Sequence, residues 1–399
     1  MKRLKNKILI IFLLVVAITI ICGTNAYAAE SGEESAEEKL EEEIEDKLGQ
    51  IDFSGIERWL DEYGDNGAGI ADNGFLQAVK DIIGGKYDQD AGGFINALAS
   101  IATSCVKDAL PALISVFAIA LLYSIVGGLS GGFLKKSTTE LIYFACYAAM
   151  ISIVIAKVAS LLMKASATIN SMQSLMNATF PILLTLLTAL GSVTSASVYK
   201  PMTAVLATGV TTIVSSLVMP LFIAATTIGI VGNLSKNVKL TKLTDFFKSC
   251  ANFILGGIFG IFATFLSVQG LTGAIADTIS IKTAKFALQS YIPLLGGYLS
   301  DGFDLVLAGL VLIKNSAGLV IALLILAAIA APVIEIAVFS LGLRLISGLI
   351  EPLCDDRFSS MLYGVSKNLG ILIAMIIGVG FMFIVTVMLI VATCNAGAV

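Results

Sequence analysis

The sequence contains no histidine, few charged residues and no pair of closely spaced cysteines. Without histidine, the chain has no Ser-His or Cys-His catalytic pair and no imidazole ligand for a metal ion. The six cysteines are scattered among apolar residues, where cysteine is usually a small core residue. These absences favour a protein that is not an enzyme and has no metal, disulfide or cofactor.

Charged residues make up 14% of the chain, whereas a typical soluble domain has about 25%. Hydrophobic residues make up 57%, and the mean hydropathy is +0.93. Several apolar runs reach the ~20 residues that a helix needs to cross a ~30 Å hydrocarbon layer. The sequence therefore predicts an all-α polytopic membrane protein.

Residues 1–28 have the three parts of a secretory signal peptide. Four basic residues precede an apolar core from Ile8 to Ile21, and Ala26-Tyr27-Ala28 supplies a cleavage site of small residues. Cleavage after Ala28 is expected, with an uncleaved anchor as the alternative. In either case the chain that follows is predicted to be exported.

Residues 29–109 form an acidic exported region. They hold twenty of the 29 acidic residues and six basic ones. Within them, residues 30–48 carry ten carboxylates and an apolar residue at every fourth position from Ala36 to Leu48, a thin stripe on an otherwise solvated helix. This segment is interpreted either as an acidic spacer or as a docking helix for an exported partner.

Residues 110–399 are expected to form a helical transmembrane domain. Two of its apolar segments are short: Phe180–Val193, which begins around Pro181, and a second one broken by Pro293 and the pair Gly296-Gly297. Six further segments are predicted to cross the membrane: Leu110–Gly128, Leu141–Met163, Thr203–Val231, Phe253–Val268, Gly318–Leu343 and Leu369–Ala392.

The positions of the lysines bear on the number of crossings. If the N-terminal region is exported, Lys135 and Lys136 lie inside, as the positive-inside rule prefers. The four-lysine loop 236–248 also lies inside only if Phe180–Val193 is re-entrant rather than a full crossing. The sequence thus favours six crossings, two re-entrant segments and an external C-terminus; eight crossings is the alternative.

The two short segments lie in a possible internal repeat, around residues 141–250 and 251–393. At an offset of 112 residues Pro181 aligns with Pro293, and Pro220 aligns with Pro332. Paired, proline-interrupted segments in two halves of a membrane protein usually mark a hydrated path. These prolines, Gly296 and Gly297 are therefore candidate pore-lining residues.

Glu335 is the charged residue deepest in an apolar segment, three residues after Pro332. An unpaired carboxylate in the hydrocarbon costs a few kcal/mol, so we expect Glu335 to face the bundle interior, protonated or paired with Lys157, Lys200 or Lys314. It either contacts an ion or solute or makes a structural bond between helices.

Asp301 and Asp304 are spaced to share one face of a helix and are further candidates, as is Lys314. The paired carboxylates could bind a cation, or Asp301 could cap a helix. No motif for nucleic-acid binding is present. The basic loop 236–248 is interpreted as a cytoplasmic anchor beside the lipid bilayer.

Residues 266–318 read LSVQGLTGAIADTISIKTAKFALQSYIPLLGGYLSDGFDLVLAGLVLIKNSAG. In its Val-Gln-Gly turn, Ile-Lys-Thr-Ala-Lys-Phe run, Ile-Pro-x₂-Gly-Gly-x₂-Ser-Asp segment and Val-Leu-Ile-Lys-Asn-Ser-Ala-Gly end, this stretch resembles the stage III sporulation protein AE family of endospore-forming bacteria. The signal peptide, the acidic exported region and the number of spans fit the family as well.

The resemblance implies a non-catalytic membrane component of a channel-like complex that links mother cell and forespore and sustains late forespore gene expression. The implied partners are other stage III sporulation membrane proteins and a cytosolic secretion-type ATPase. The implied location is the mother-cell (outer forespore) membrane, with residues 29–109 in the intermembrane space. The residues alone leave two other hypotheses open: a secondary transporter with Glu335 at its midplane, and a passive membrane scaffold.

Overall fold

The structure is a computed structural model that describes residues 43–63, 71, 73–85, 91–133, 136–233, 240–269 and 296–393. The chain divides into two compact units, residues 1–50 and 51–399. In the first unit, residues 43–50 are helical, and Lys47 Nζ lies 3.4 Å from Glu43 Oε1. The predicted signal peptide and Pro293 lie outside the described residues.

In the described part of the second unit the regular structure is entirely helical. Two short helices, α1 (Ser54–Tyr63) and α2 (Phe75–Ile83), come before the long ones. The long helices are α3 (Ala91–Phe133), α4 (Lys136–Ala189), α5 (Val193–Val231), α6 (Thr241–Gln269), α7 (Gly296–Ile350) and α8 (Asp356–Ala392). The predicted all-α architecture is confirmed for these residues.

Six of these helices, α3 to α8, are long and apolar enough to cross a membrane. Two of them are much longer than a crossing requires. The 54 residues of α4 and the 55 of α7 each extend about 80 Å at 1.5 Å per residue, against a hydrocarbon layer of about 30 Å. Both helices must therefore continue well beyond a membrane that they cross.

The exposed apolar side chains locate the crossing region. On α3 the large ones run from Val106 to Ile125, on α4 from Leu141 to Met163, and on α6 from Leu243 to Ile261. Each range covers about 20 residues, or about 30 Å of helix. We call this region the apolar belt. Helix α5 differs, because it exposes such residues along its whole length, from Val193 to Val231.

The prediction that Phe180–Val193 is a separate short segment is wrong. Pro181 lies inside α4, which continues to Ala189 before a tight turn leads into α5. The sequence predicted that one span ends at Met163 and that another segment begins at Phe180, but the helix continues past the apolar belt and α1 covers part of it. Trp59 of α1 donates its indole N–H to the carbonyl of Ser171, at 2.8 Å.

The predicted division between the second short segment and the span Gly318–Leu343 is also absent, because α7 passes through Lys314 without a break and Gly296 and Gly297 form its first turn. Lys314 is fully buried, and its ammonium donates to the carbonyl of Thr393 at the C-terminal end of α8. A cation is favoured there by the helix dipole, so the charge is compensated without ending α7.

The helix pattern does not repeat at the predicted offset. The turn at residues 190–192 would correspond to residues 302–304, which lie inside the continuous helix α7. The predicted domain boundary between residues 109 and 110 also falls inside a helix, α3. In the aligned pair of prolines that the structure describes at both positions, Pro220 follows a π-helical stretch and Pro332 lies inside the continuous helix α7.

Helices α7 and α8 form the centre of the bundle. They are joined by a short turn and linked by serines: Ser366 Oγ donates to the Ser340 carbonyl at 2.9 Å, and Ser347 Oγ donates to the Ser359 carbonyl at 2.8 Å. Helices α3 and α4 pack against α7, while α5 and α6 pack against α8. The two central helices therefore position every other span.

Close packing between α7 and α8 leads to a stability prediction. A Cβ atom at Gly318 would overlap the Cγ2 methyl of Val391, a stiff β-branched side chain, whereas a Cβ at Gly348 on the same helix meets no atom within 4 Å. We expect Gly318→Ala to lower the free energy of unfolding by about 1–3 kcal/mol. Gly348→Ala is the control and should be neutral or stabilising by up to about 1 kcal/mol.

The measurement is the unfolding midpoint of the purified protein in detergent. Equal midpoints for Gly318→Ala and Gly348→Ala would contradict the close approach of α7 and α8.

Candidate functional site

Glu335 projects from the middle of α7 towards α4 and is held by two lysines. Lys157 Nζ lies 2.8 Å from Glu335 Oε1, and Lys164 Nζ lies 2.7 Å from Glu335 Oε2. The Glu335 side chain is 7% exposed and that of Lys157 is 16% exposed. We call these three residues the charge clamp.

The clamp follows from the spacing of its lysines. Lys157 and Lys164 are seven residues apart, which is close to two helical turns, so both lie on one face of α4. They approach Glu335 from opposite sides, and each takes one carboxylate oxygen. The predicted pairing of Glu335 with Lys157 is confirmed, whereas Lys164 was missed, although the seven-residue spacing was visible in the sequence.

The other two predicted partners lie elsewhere. Lys314 is on the same helix as Glu335, about 31 Å away at 1.5 Å per residue, so the two cannot pair. Lys200 is on α5 and lines a cavity that also contacts Pro181. The pairing of Glu335 with Lys200 or Lys314 is therefore wrong.

The charge balance of the clamp limits what it can do. One carboxylate faces two ammonium groups, and both carboxylate oxygens are engaged. Lys164 is 52% exposed, so its charge is partly hydrated, while Lys157 and Glu335 are nearly enclosed. This arrangement stabilises a buried charge and joins α4 to α7, and each carboxylate oxygen already accepts a hydrogen bond from a lysine.

The remaining candidates do not gather around the clamp. Pro332 is the one nearby, and its missing N–H leaves the carbonyl one turn earlier without its helical donor. Pro220 follows a π-helical stretch, Val214–Val218, in α5. The side chains of Asp301 and Asp304 lie outside the described part of the structure. The described candidates thus occupy several places rather than one pore.

Aromatic residues converge at the end of the apolar belt where α4 begins. The hydroxyl of Tyr147 donates to the Ile230 carbonyl at 2.8 Å, and the Arg357 guanidinium lies 3.5 Å from the centre of the Tyr143 ring. Phe358 contacts both tyrosines. Tyrosine is enriched at membrane–water interfaces, so this cluster, which the sequence did not reveal, marks one boundary of the belt.

The turn between α7 and α8 lies at the same end. Burial, with a smaller contribution from Asp355, raises the pKa of the Cys354 thiol above its usual value. The thiol therefore stays protonated and donates to the Ala120 carbonyl at 3.2 Å, which attaches this turn to α3. Among the described residues, no group of three histidine, cysteine, aspartate or glutamate side chains could hold a metal ion.

Comparisons with known proteins point to one family. The family model described as stage III sporulation protein AE matches residues 74–394 of this chain. The curated stage III sporulation protein AE of Bacillus subtilis (strain 168) is 26% identical over 267 residues, which is 67% of each chain. No solved structure matches the chain.

The charge clamp predicts unequal effects for its members. Glu335→Gln leaves two ammonium groups facing a neutral amide, and removing one partner of a buried pair typically costs about 3 kcal/mol or more. Lys164→Gln should cost less than about 1 kcal/mol, because Lys164 is half exposed and Lys157 remains.

The free energy of unfolding in detergent distinguishes these effects. Glu351→Gln is the matched control, since Glu351 is an exposed acidic residue just beyond the end of α7, and it should be neutral. If Glu335→Gln is no more destabilising than Glu351→Gln, the clamp does not hold α4 to α7.

Proposed function

This chain belongs to the stage III sporulation protein AE family, and on that basis we propose that it is the polytopic membrane component of a channel or secretion-like complex. The complex links the mother cell to the forespore and is needed for late forespore gene expression and spore development. The observation that carries the proposal is the extent of the family match: residues 74–394 include all six long apolar helices.

The proposed orientation rests on charge and on helix direction. The aromatic cluster brings the N-terminal ends of α4 and α8 to the C-terminal end of α5. Among the residues whose side chains the structure describes, those at or near this end of the bundle include the basic residues Lys242, Lys248, Arg344, Arg357 and Lys367. By the positive-inside rule this end faces the mother-cell cytosol, and the opposite end is exported.

This orientation gives six crossings of the mother-cell (outer forespore) membrane. The signal peptide directs residues 29–109 into the intermembrane space, and the C-terminus lies on the same side. The parts of α4 and α7 that continue beyond the apolar belt also project there. They offer a surface to other stage III sporulation membrane proteins, while the basic cytosolic end is available to a secretion-type ATPase.

In this proposal the protein is not an enzyme, and the charge clamp is a structural element of the membrane core. A transporter that couples solute movement to an ion needs a carboxylate that can release its partners. Both oxygens of Glu335 are bound by lysines at 2.7 and 2.8 Å. The geometry therefore favours the channel component over the secondary transporter.

A sporulation assay tests the proposed function. Deletion of the gene in a spore-forming host should leave early forespore expression normal, abolish a late forespore reporter and reduce heat-resistant spores. The wild-type gene should restore both, and a fluorescent fusion to the restored protein should surround the forespore. Normal late reporter activity in the deletion strain would contradict the proposal.

A further inference from the structure

Two open cavities lie one after the other between α4 and α5, away from the charge clamp, and we call the two together the groove. One cavity of about 570 Å³ lies between the C-terminal part of α4 and the first part of α5, where Asn177, Thr188, Ser197 and Lys200 add polar groups to a wall that is otherwise mainly apolar. A second, of about 390 Å³, is lined by Asn170, Gln173, Thr211, Thr212, Ser215 and Ser216. Together they extend along α5 for about 35 Å at 1.5 Å per residue.

The α4 wall of the groove carries carboxamides. Asn170, Gln173 and Asn177 are spaced i, i+3 and i+7, so they share one face of the helix. Each carboxamide has two N–H donors and a carbonyl acceptor. A row of such groups suits water and polar solutes and is unfavourable against lipid.

The α5 wall carries hydroxyls and irregular backbone. Ser216 Oγ donates to the Thr212 carbonyl at 2.7 Å, so its oxygen remains an acceptor towards the groove. Two π-helical stretches, Val205–Val210 and Val214–Val218, run along this wall. Such stretches are rare and frequently occur at functional sites.

The groove lies beyond the apolar belt, towards the side of the membrane that is expected to be exported. On the described part of α4 the last exposed large apolar side chain is Met163, and the groove residues come after it. At this level Trp59 of α1 packs on α4, donating to Ser171 Oγ at 3.0 Å. Because α1 belongs to the region expected to be exported, the groove opens on that side.

The residues that line the groove carry positive charge and no negative charge. Among the residues lining the two cavities, Lys200 is the one with a charge, and none of them is acidic. Lys200 is exposed, and a cation at the wall of a cleft raises the local concentration of anions over that of cations. A volume of about 570 Å³ is within the range of small-molecule sites.

We propose that the groove between α4 and α5 is a water-filled vestibule on the exported side that admits small polar solutes and favours anions through Lys200. The proposal goes beyond the proposed function, because it assigns a solute class to a surface outside the charge clamp. It stands on the lining chemistry and the position of the groove.

Thiol modification tests the proposal in non-sporulating cells that express the protein, because in those cells the exported side faces the medium and impermeant reagents can reach it. Ser197→Cys, one turn from Lys200, and Gln173→Cys, in the second cavity, are made in a variant that lacks the native cysteines. The cells are treated with two membrane-impermeant methanethiosulfonates, an anionic sulfonatoethyl and a cationic trimethylammonioethyl reagent. Ile261→Cys in the apolar belt and Lys242→Cys at the cytosolic end are controls.

Both groove positions should react with both reagents, and both controls should remain unmodified. For each thiol we compare the rate of modification by the anionic reagent with the rate by the cationic one. At low ionic strength this ratio should be about threefold to fivefold higher for Ser197→Cys than for a free thiol in solution. Adding Lys200→Gln should return the ratio to that of the free thiol. Thr188→Cys, on the facing wall, replaces Ser197→Cys if that variant fails to accumulate.

The results separate the two parts of the proposal. If Gln173→Cys and Ser197→Cys do not react, the groove is dry and the vestibule is refuted. If they react but the ratio does not change with Lys200→Gln, the preference for anions is refuted. The sporulation assay is independent of both results, so a failure here is distinguishable from a failure of the proposed function.

Discussion

A carboxylate on an apolar helix must be compensated, and the way this chain compensates Glu335 determines how its helices fit together. Two lysines on one face of α4 fix the position of α7 along that helix. Helix α7 in turn is joined to α8 by reciprocal serine contacts. The other helices pack on α7 and α8. By fixing α4 against α7, the charge clamp therefore fixes the position of α4 along the central pair of helices.

Polar contacts select partners at three levels of the bundle. The aromatic cluster joins α4, α5 and α8 at one end, the charge clamp joins α4 and α7 in the middle, and Lys314 joins α7 to the last turn of α8. In lipid, apolar side chains gain little by contacting another helix rather than lipid. Close packing and hydrogen bonds therefore determine which helices become neighbours. Each level joins a different set of helices, which defines a single arrangement.

Hydropathy and charge predicted the helical class and the six long apolar helices, and they included Lys157 among three candidate partners of Glu335. They did not predict that α4 continues through Pro181 or that α7 continues through Lys314. A polar stretch reads as a loop, although it is equally compatible with a helix that leaves the membrane and is covered by α1. The partner of Lys314 is a backbone carbonyl at the far end of the described chain, which no local pattern reveals.

The central claim is that Glu335 and Lys157 hold α4 and α7 together as a charge pair. It is tested most directly by exchanging the two charges, with unfolding in detergent measured for Lys157→Glu, Glu335→Lys and the double variant. The account predicts that each single variant is strongly destabilised and that the double variant recovers much of the loss, because the half-exposed Lys164 can turn away. Additive destabilisation in the double variant would contradict it.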